Sequence, residues 1–366
     1  MNPNPSENQR ESIWKKILKG IGIVLLALVV IIALALGVFT IAEYRPADRE
    51  TLVADSEAEA TLETGTPLTV VSWNCGYGAL GDNADFFMDG GSSVYTADQD
   101  RVNSNLRAIR DALREIDPDL ILLQEVDINS SRSHGTDERA VLREALPGAS
   151  EAFAYNFNVL FVPYPLPPLG HVESGLYTLS RAAIRAADRL SLPCPFSWPV
   201  RLVNLKRGLL VSRFPVKGTD RELVLINLHL EAYDNGEGKA AQTRQLVSFM
   251  QEEYANGNYV IAGGDFNQRF TNIDQSAWPV YEGMWQPGEI DAQDFGDDFT
   301  LLMDNTVPSC RSLDRPYSGA EKSGFQFFLI DGFIVSGNVA AESVKTQDLG
   351  FVCSDHNPVV MRFTMQ

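Results

Sequence analysis

Several absences narrow the chemistry before any motif is considered. The four cysteines, Cys75, Cys194, Cys310 and Cys353, form no CxxC pair and no other zinc-like spacing. Zinc is therefore not expected, and the spacing admits two disulfides as readily as four free thiols. A basic excess is also missing: 30 Lys and Arg stand against 48 Asp and Glu, a net charge of −18. A body that acidic repels phosphate backbones at long range, and no basic stripe with interleaved aromatics offsets it. Broad electrostatic capture of duplex DNA is a poor expectation. A phosphate-bearing substrate stays open, because a bound divalent cation reverses the sign locally. There is no internal repeat of solenoid period. With 45% hydrophobic and 10% aromatic residues, nothing suggests wholesale disorder.

Charge is missing altogether from Gly20 to Ala42, GIGIVLLALVVIIALALGVFTIA. At 1.5 Å per residue this run covers about 34 Å, enough to cross a hydrocarbon core. It is too long for the apolar region of a cleaved signal peptide and apolar on every side, unlike a packed core helix. Arg10, Lys15, Lys16 and Lys19 precede it, and residues of mixed sign follow. The positive-inside rule then predicts a cytoplasmic N-terminus (1–19), a transmembrane signal anchor (20–42) and an extracytoplasmic remainder. Residues 43–66 are acidic with little apolar periodicity, which predicts a self-repelling linker reaching about 25–30 Å.

From 67 to 366 strand-like and helix-like segments alternate, as expected of one mixed α/β domain. Runs at 68–73, 119–126, 174–180, 207–213, 223–230 and 325–336 read as strands, with a closing strand from Val359. Val102, Leu106, Ile109, Leu113 and Ile116 step by four and three behind a capping Asp98 or Asp100, predicting a helix. Further helices are expected at 137–145 and around Leu246, Val247, Met250 and Tyr254.

Polar residues cluster where these strands end: Asn74, Glu125, His229, Asp265 with Asn267, Asp331, and Asp355 with His356. Taken singly each has an ordinary reading. Glu125 is a charge turning to solvent, Asn74 a turn former, His229 a satisfied core histidine. Asp331 resists such a reading, because it interrupts an apolar strand between Ile330 and Phe333, and a carboxylate there needs a partner. Converging strand ends make a rigid pocket, and this set is rich in hard oxygen ligands that suit Mg2+, Mn2+ or Ca2+ better than zinc.

In chain order the motifs are SWNCG, LLQEVD, SGLYTLSR, NLHLEAYD, GGDFNQ, LIDGFIVS and SDHNPV. This string resembles the endonuclease/exonuclease/phosphatase superfamily over essentially the whole body, Leu68 to Phe363. The resemblance implies a four-layer α/β sandwich, two packed mixed β-sheets flanked by helices, here preceded by one transmembrane helix. It implies Glu125 as the principal ligand of Mg2+ (Mn2+ as substitute), with Asn74 beside it on metal or phosphate and Asp355 as a metal-side carboxylate. Asp265 and Asn267 would position the attacking water and a phosphate oxygen. His356 would contact the phosphate or take the water's proton, oriented by Asp331. His229 would hydrogen-bond the phosphate and assist the leaving oxygen. The resemblance leaves the general base open between Asp265 and His356, and assigns His134 and His171 no role.

Three phosphoester classes then compete as substrate: a lipid headgroup, nucleic acid and a small soluble phosphoester. For the first, 153–170 and 192–199 could form apolar, proline-stiffened rims, although ordinary strands and packed loops are the simpler reading. For the third, Lys206, Arg207, Arg311, Arg315 and Lys322 could supply basic contacts. Outside the enzyme class stands a membrane-tethered binding protein on the same fold. No protein partner is expected. Cys75 follows Asn74 directly and Cys353 precedes Asp355 by two, so both thiols are placed near the site, where outside the cytoplasm they could pair; the sequence leaves Cys75–Cys353 and Cys194–Cys310 open.

Overall fold

The computed structural model describes residues 5–56, 58–320 and 324–366, with side-chain surroundings from residue 11 on, Ser56 excepted. In chain order, α1 (Pro5–Ala42) is followed by β1 (Arg49–Leu52), β2 (Asp55–Ser56), β3 (Pro67–Asn74), α2 (Gln99–Ile116), β4 (Leu120–Asp127) and the single turn α3 (Arg139–Leu142). Next come β5 (Ser150–Val162), β6 (Gly170–Ser180), β7 (Ala186–Ser191), β8 (Gly208–Pro215), β9 (Glu222–His229) and α4 (Glu237–Ala255). The last third holds β10 (Tyr259–Asp265), β11 (Gln268–Phe270), β12 (Gly288–Ile290), β13 (Phe299–Leu302), β14 (Cys310–Arg311), β15 (Phe327–Phe328), β16 (Asp331–Ser336), β17 (Val339–Thr346) and β18 (Val359–Met365).

Fourteen of these strands form two seven-stranded mixed sheets, ordered β1-β7-β8-β9-β10-β16-β13 and β17-β18-β3-β4-β6-β5-β2. The central strands are apolar on both faces, because one face meets the other sheet and the other meets helices. On β3, Val70 enters the core between the sheets while Val71 packs outward beneath α2. On β4, Leu120 and Leu122 point inward, and Ile121 and Leu123 pack with Leu106, Ile109 and Leu113 of α2. In the other sheet Leu223, Leu225 and Ile261 face inward, while Val224, Ile226 and Val260 pack against Leu246 and Met250 of α4. The result is four layers: helix, sheet, sheet, helix.

Asp98 caps α2, its carboxylate accepting from Arg101 N at 2.8 Å. The helix expected at 137–145 is one α turn continued as a 3-10 turn, and the strand expected at 325–336 breaks into β15 and β16.

One open pairing is decided and one expectation is corrected. The four cysteines are free thiols, so Cys75 and Cys353 are not bridged. Both are buried in the apolar layer beneath α2, which accounts for them as small hydrophobes. Residues 43–66 are also not a loose tether. β1 pairs with β7 at the edge of one sheet and β2 with β5 at the edge of the other. Leu62 is buried in the inter-sheet core, and Arg49 holds Asp188 at 2.5 Å. The stretch stays on the body because Leu62 finds the core and Glu43 and Glu63 find cations there, Arg201 with Lys206 and Lys217. A chain truncated to 67–366 is therefore expected to lose about 2–3 kcal/mol from Leu62 burial alone relative to 43–366, read from urea midpoints; equal midpoints would contradict the packed segment.

One helical segment among the described residues, Glu11–Ala42, is long and apolar enough to cross a membrane. Its end is fastened to the body. Trp198 donates through Nε1 to Thr40 Oγ1 at 3.1 Å, and Glu43 meets Arg201 and Lys206 at 3.2 and 3.3 Å.

Candidate active site

Alternation along the strands decides where the polar ends point. Asn74 shares the inward face of β3 with Leu68 and Val70. His229 follows Leu223 and Leu225, Asp265 follows Tyr259 and Ile261, and Asp331 precedes Phe333 and Val335, all in phase with the inter-sheet core. Four polar side chains thus emerge together at the rim of the cleft between the sheets. Register completes the arrangement: Asp265 lies opposite His229 on one side and opposite Asp331 on the other. Such close pairing requires the glycines before Asp265. A β-carbon on Gly264 would fall 2.0 Å from Leu228 O, at a φ of +153°.

Glu125 is out of phase, since alternation would send it outward with Ile121 and Leu123. The β4–β6 register shifts between Leu123 and Val126, and Glu125 takes φ +53°. This bulge re-aims the side chain into the cavity. Asn267 is likewise in the left-handed region, at +52°; its backbone N–H bonds Asp265 Oδ1 at 2.9 Å and its side chain donates to Leu230 O at 2.9 Å. A left-handed backbone at two non-glycine residues of one site stores strain that the surrounding bonds must hold.

The loop that brings Asp355 and His356 is bolted to β3. Ser354 Oγ donates to Asn74 O at 2.7 Å and Trp73 Nε1 to His356 O at 2.9 Å. Gly76 makes room, because a β-carbon there would sit 2.9 Å from Asp355 Oδ1 at a φ of +52°.

All eight residues singled out from the sequence therefore converge, and all but Asn74 and Asp331 directly line one cavity of about 410 Å³. His356 Nδ1 bonds Asp331 Oδ2 at 2.9 Å, and its Nε2 stands 3.7 Å from Asp265 Oδ2. His229 Nε2 lies 3.5 Å from the same oxygen, with Nδ1 3.9 Å from Glu125 Oε1. Asn74 donates through Nδ2 to Asp265 at 3.1 Å and to Glu125 at 3.3 Å, while its oxygen accepts from Gly76 N at 3.0 Å. Asn74 thus spaces two carboxylates through Nδ2, with its oxygen turned to Gly76 N.

Burial pushes Asp265 up to about 7, with Asp331 adding to it, and Asp355 up to about 6, with Glu125 adding. Burial acts most strongly against charge on His356, but Asp331, Cys310 and Asp355 together outweigh it and hold the imidazole well above its ordinary value. Burial, Arg207 and the charge of His356 hold His229 well below. One histidine is therefore a cation in an ion pair and the other a neutral imidazole.

The donor set suits a divalent cation. Asp265, Asp331 and His356 bring ligand-type atoms within 4.8 Å of one another, as do Cys310, Asp355 and His356; a protonated imidazole has no lone pair for a metal, which leaves the carboxylates, with Glu125 and Asp355 facing the same cavity. Asp331 Oδ1 is buried and has no hydrogen-bond partner among the described residues. Buried carboxylates whose ionisation is suppressed by burial and by one another lack positive charge, and the oxygen-rich set fits Mg2+ or Mn2+.

Sequence reading missed a latch across the cavity. Tyr233, after β9, donates to Asp89 Oδ1 at 3.0 Å, and burial pushes Asp89 up to about 7. A raised carboxyl pKa means that the folded state holds the proton more tightly. That contribution is complete below about pH 4 and fades as pH rises through about 7. Asp89→Asn is expected to match the wild-type Tm at pH 4 and exceed it increasingly toward pH 8; parallel profiles would contradict this. Of the basic candidates, Arg207 and Arg311 line the cavity, whereas Lys206 pairs with Glu43 and Arg315 with Asp314. Lys322 lies outside the described residues. His134 and His171 sit away from the cavity, bonded to Ala97 O and beside Glu173.

A sequence model described as the endonuclease/exonuclease/phosphatase family matches residues 71–356. Among solved structures, an endonuclease/exonuclease/phosphatase from Beutenbergia cavernae superposes with a TM-score of 0.54 at 17% identity, covering 82% of this chain and 72% of that one. The human Nocturnin catalytic domain with bound sulfate superposes with a TM-score of 0.50 at 15% identity, covering 88% and 100%. Among curated proteins none matches significantly.

Proposed function

The chain belongs to the endonuclease/exonuclease/phosphatase family, and on that premise we propose that it is a divalent-metal-dependent hydrolase of phosphodiesters, anchored by residues 20–42 and working outside the cytoplasm beside the membrane. The family is typically one of metal-dependent phosphoester hydrolases. The observation that carries the reading is the single register row of Asp265, His229 and Asp331, with His356 paired to Asp331 at the same cavity.

Glu125 and Asp355 would hold the cation, with Asn74 fixing Glu125 against Asp265. Bound there, a divalent cation supplies charge neutralisation at the phosphoryl oxygens. Asp265, whose carboxyl sits near neutrality, takes a proton from the attacking water as its oxygen bonds to phosphorus. The Asp331–His356 pair presents a fixed N–H cation to the phosphoryl group, and Asn267 anchors the turn that aims Asp265. As the bond from phosphorus to the leaving oxygen breaks, neutral His229 relays a proton, taking one at Nε2 from Asp265, 3.5 Å away, while its Nδ1–H passes to that oxygen.

The test is hydrolysis of 4-nitrophenyl methyl phosphate by the full chain. Turnover is expected with Mg2+ or Mn2+, to vanish with EDTA and to return when the metal is restored. Turnover indifferent to chelation, or none with either metal, would overturn the reading.

A further inference from the structure

The cavity at the catalytic cluster has walls of an unexpected kind for an enzyme of phosphate esters. Away from the carboxylates it is faced by Phe157, Val162, Leu169, Val203, Leu205 and Met88. Most of these belong to one apolar cluster that runs from beneath β5 and β6 to the segment 200–205. Its volume of about 410 Å³ lies in the range of sites that enclose a small amphiphile.

The cations facing this cavity are already committed. Arg132 is bonded to Asp127, Arg207 to Glu231 and to His229 O, and Arg311 to the carbonyls of Ser312 and Gly81. A polyanion needs free cations along its track. These walls instead suit one phosphodiester charge attached to an apolar chain.

The rim continues the same chemistry outward. Leu166 is 90% exposed, Tyr164 68% and Trp198 50%, with Val200 and Leu160 also open to solvent. Tyr164 stacks edge-on against Phe87 at the cavity lip. The rim also touches the end of the apolar helix: Trp198 bonds Thr40, and Arg201, between the cavity-wall residues Val200 and Val203, pairs with Glu43. The exposed apolar rim at 160–166 and 198–200 thus lies between the end of α1 and the cavity that holds the catalytic cluster.

We propose that this cavity takes the apolar chain of a membrane phosphodiester lipid, entering from the bilayer past the rim at 160–166 and 198–200, with its phosphorus at Asp265, His229 and His356. The inference rests on the phosphodiesterase reading above. Hydrolysis adds water oxygen to phosphorus and releases the leaving oxygen with one proton, so no further reactant is required.

The test uses the full chain in maltoside detergent with Mg2+ and two esters, 4-nitrophenyl methyl phosphate and 4-nitrophenyl octyl phosphate. They share the reacting bond and the leaving group and differ only in the chain. At about 0.8 kcal/mol per fully buried methylene, partial burial of the octyl chain is expected to raise kcat/KM about 100-fold over the methyl ester. Val203→Asn and Met88→Gln, uncharged changes at partly exposed wall positions, are expected to cut the octyl ester rate far more than the methyl ester rate. Equal rates on the two wild-type reactions, or an octyl preference that both variants retain, would overturn the inference. So would faster cleavage of plasmid DNA than of the octyl ester. Failure on both esters would instead overturn the phosphodiesterase reading itself. For the rim, Leu166→Asp is expected to slow hydrolysis of the octyl ester presented in phosphatidylcholine vesicles but not in detergent; an unchanged vesicle rate would remove the bilayer route.

Discussion

The His356→Ala variant is expected to lose about 10³-fold in kcat on an activated phosphodiester, within the usual range for removing a positioned acid–base group. The imidazole is buried, and Asp331 holds it by a 2.9 Å bond. Taking it away removes the fixed cation from the phosphoryl side of the site. It also strands the Asp331 carboxylate, whose other oxygen already has no partner among the described residues. Two losses must therefore be separated, one of chemistry and one of folding. Breaking a buried pair by deleting one partner costs about 3–5 kcal/mol. The double variant His356→Ala/Asp331→Asn removes the stranded charge, so it is expected to regain much of the stability and none of the rate. A double variant that recovered activity along with stability would show that His356 acts only on folding. Asp331→Asn alone is expected to lower kcat by less than His356→Ala, and the two rate effects should not add, because the pair acts as a unit.

The second large effect is expected at Arg132, which touches none of the strand-end residues singled out from the sequence. Arg132 is buried and holds Asp127 through Nε at 3.1 Å and Nη2 at 2.9 Å, with Nη2 also reaching Ser174 Oγ at 3.2 Å. Its guanidinium lies 3.7 Å above the Tyr77 ring. Burial works most strongly against its charge, and the Asp127 carboxylate, with Tyr77 and Glu125 adding, raises its pKa nonetheless. Asp127 stands two residues beyond Glu125 on β4, so this pair clamps the strand just past the bulge. Arg132→Met should cost about 3–5 kcal/mol in chemical denaturation, since Asp127 is left buried without its partner. Arg132→Met/Asp127→Leu should restore a large part of that. If the single variant unfolds at the wild-type midpoint, the pair contributes nothing to stability. Metal affinity gives a second readout: a loosened bulge should weaken Mg2+ binding even where the protein remains folded.

The common direction of the polar strand ends was legible where strand phase and chemistry agreed. His229, Asp265 and Asp331 each continue an apolar alternation into a polar end, so their common direction could be read from spacing. Glu125 could not be placed that way. Its phase is wrong by one, and only the bulge at Leu123–Val126 brings it round. The acidic segment 43–66 was misread for a related reason: charge pattern describes the isolated segment, while Leu62 and the β1 and β2 pairings answer to the edges of two sheets far off in sequence. The Tyr233–Asp89 latch had no sequence signal, since it joins two loops separated by the whole first half of the domain. The apolar wall was visible as composition in 153–170 and 192–199. What composition lacked was that both segments meet at the same cavity.

The row formed by Asp265, His229 and Asp331 has a bearing on how such a protein can change over time. Three neighbours in one ladder inherit their separation from the distance between paired strands, about 4.8 Å. That distance is a property of backbone hydrogen bonds and cannot be stretched by lengthening a connection elsewhere. The segments that shape the rim, by contrast, hang between strands whose register does not depend on them. Insertions, deletions and recombination at the rim can therefore exchange one clientele for another while the hydrolytic machinery stays in alignment.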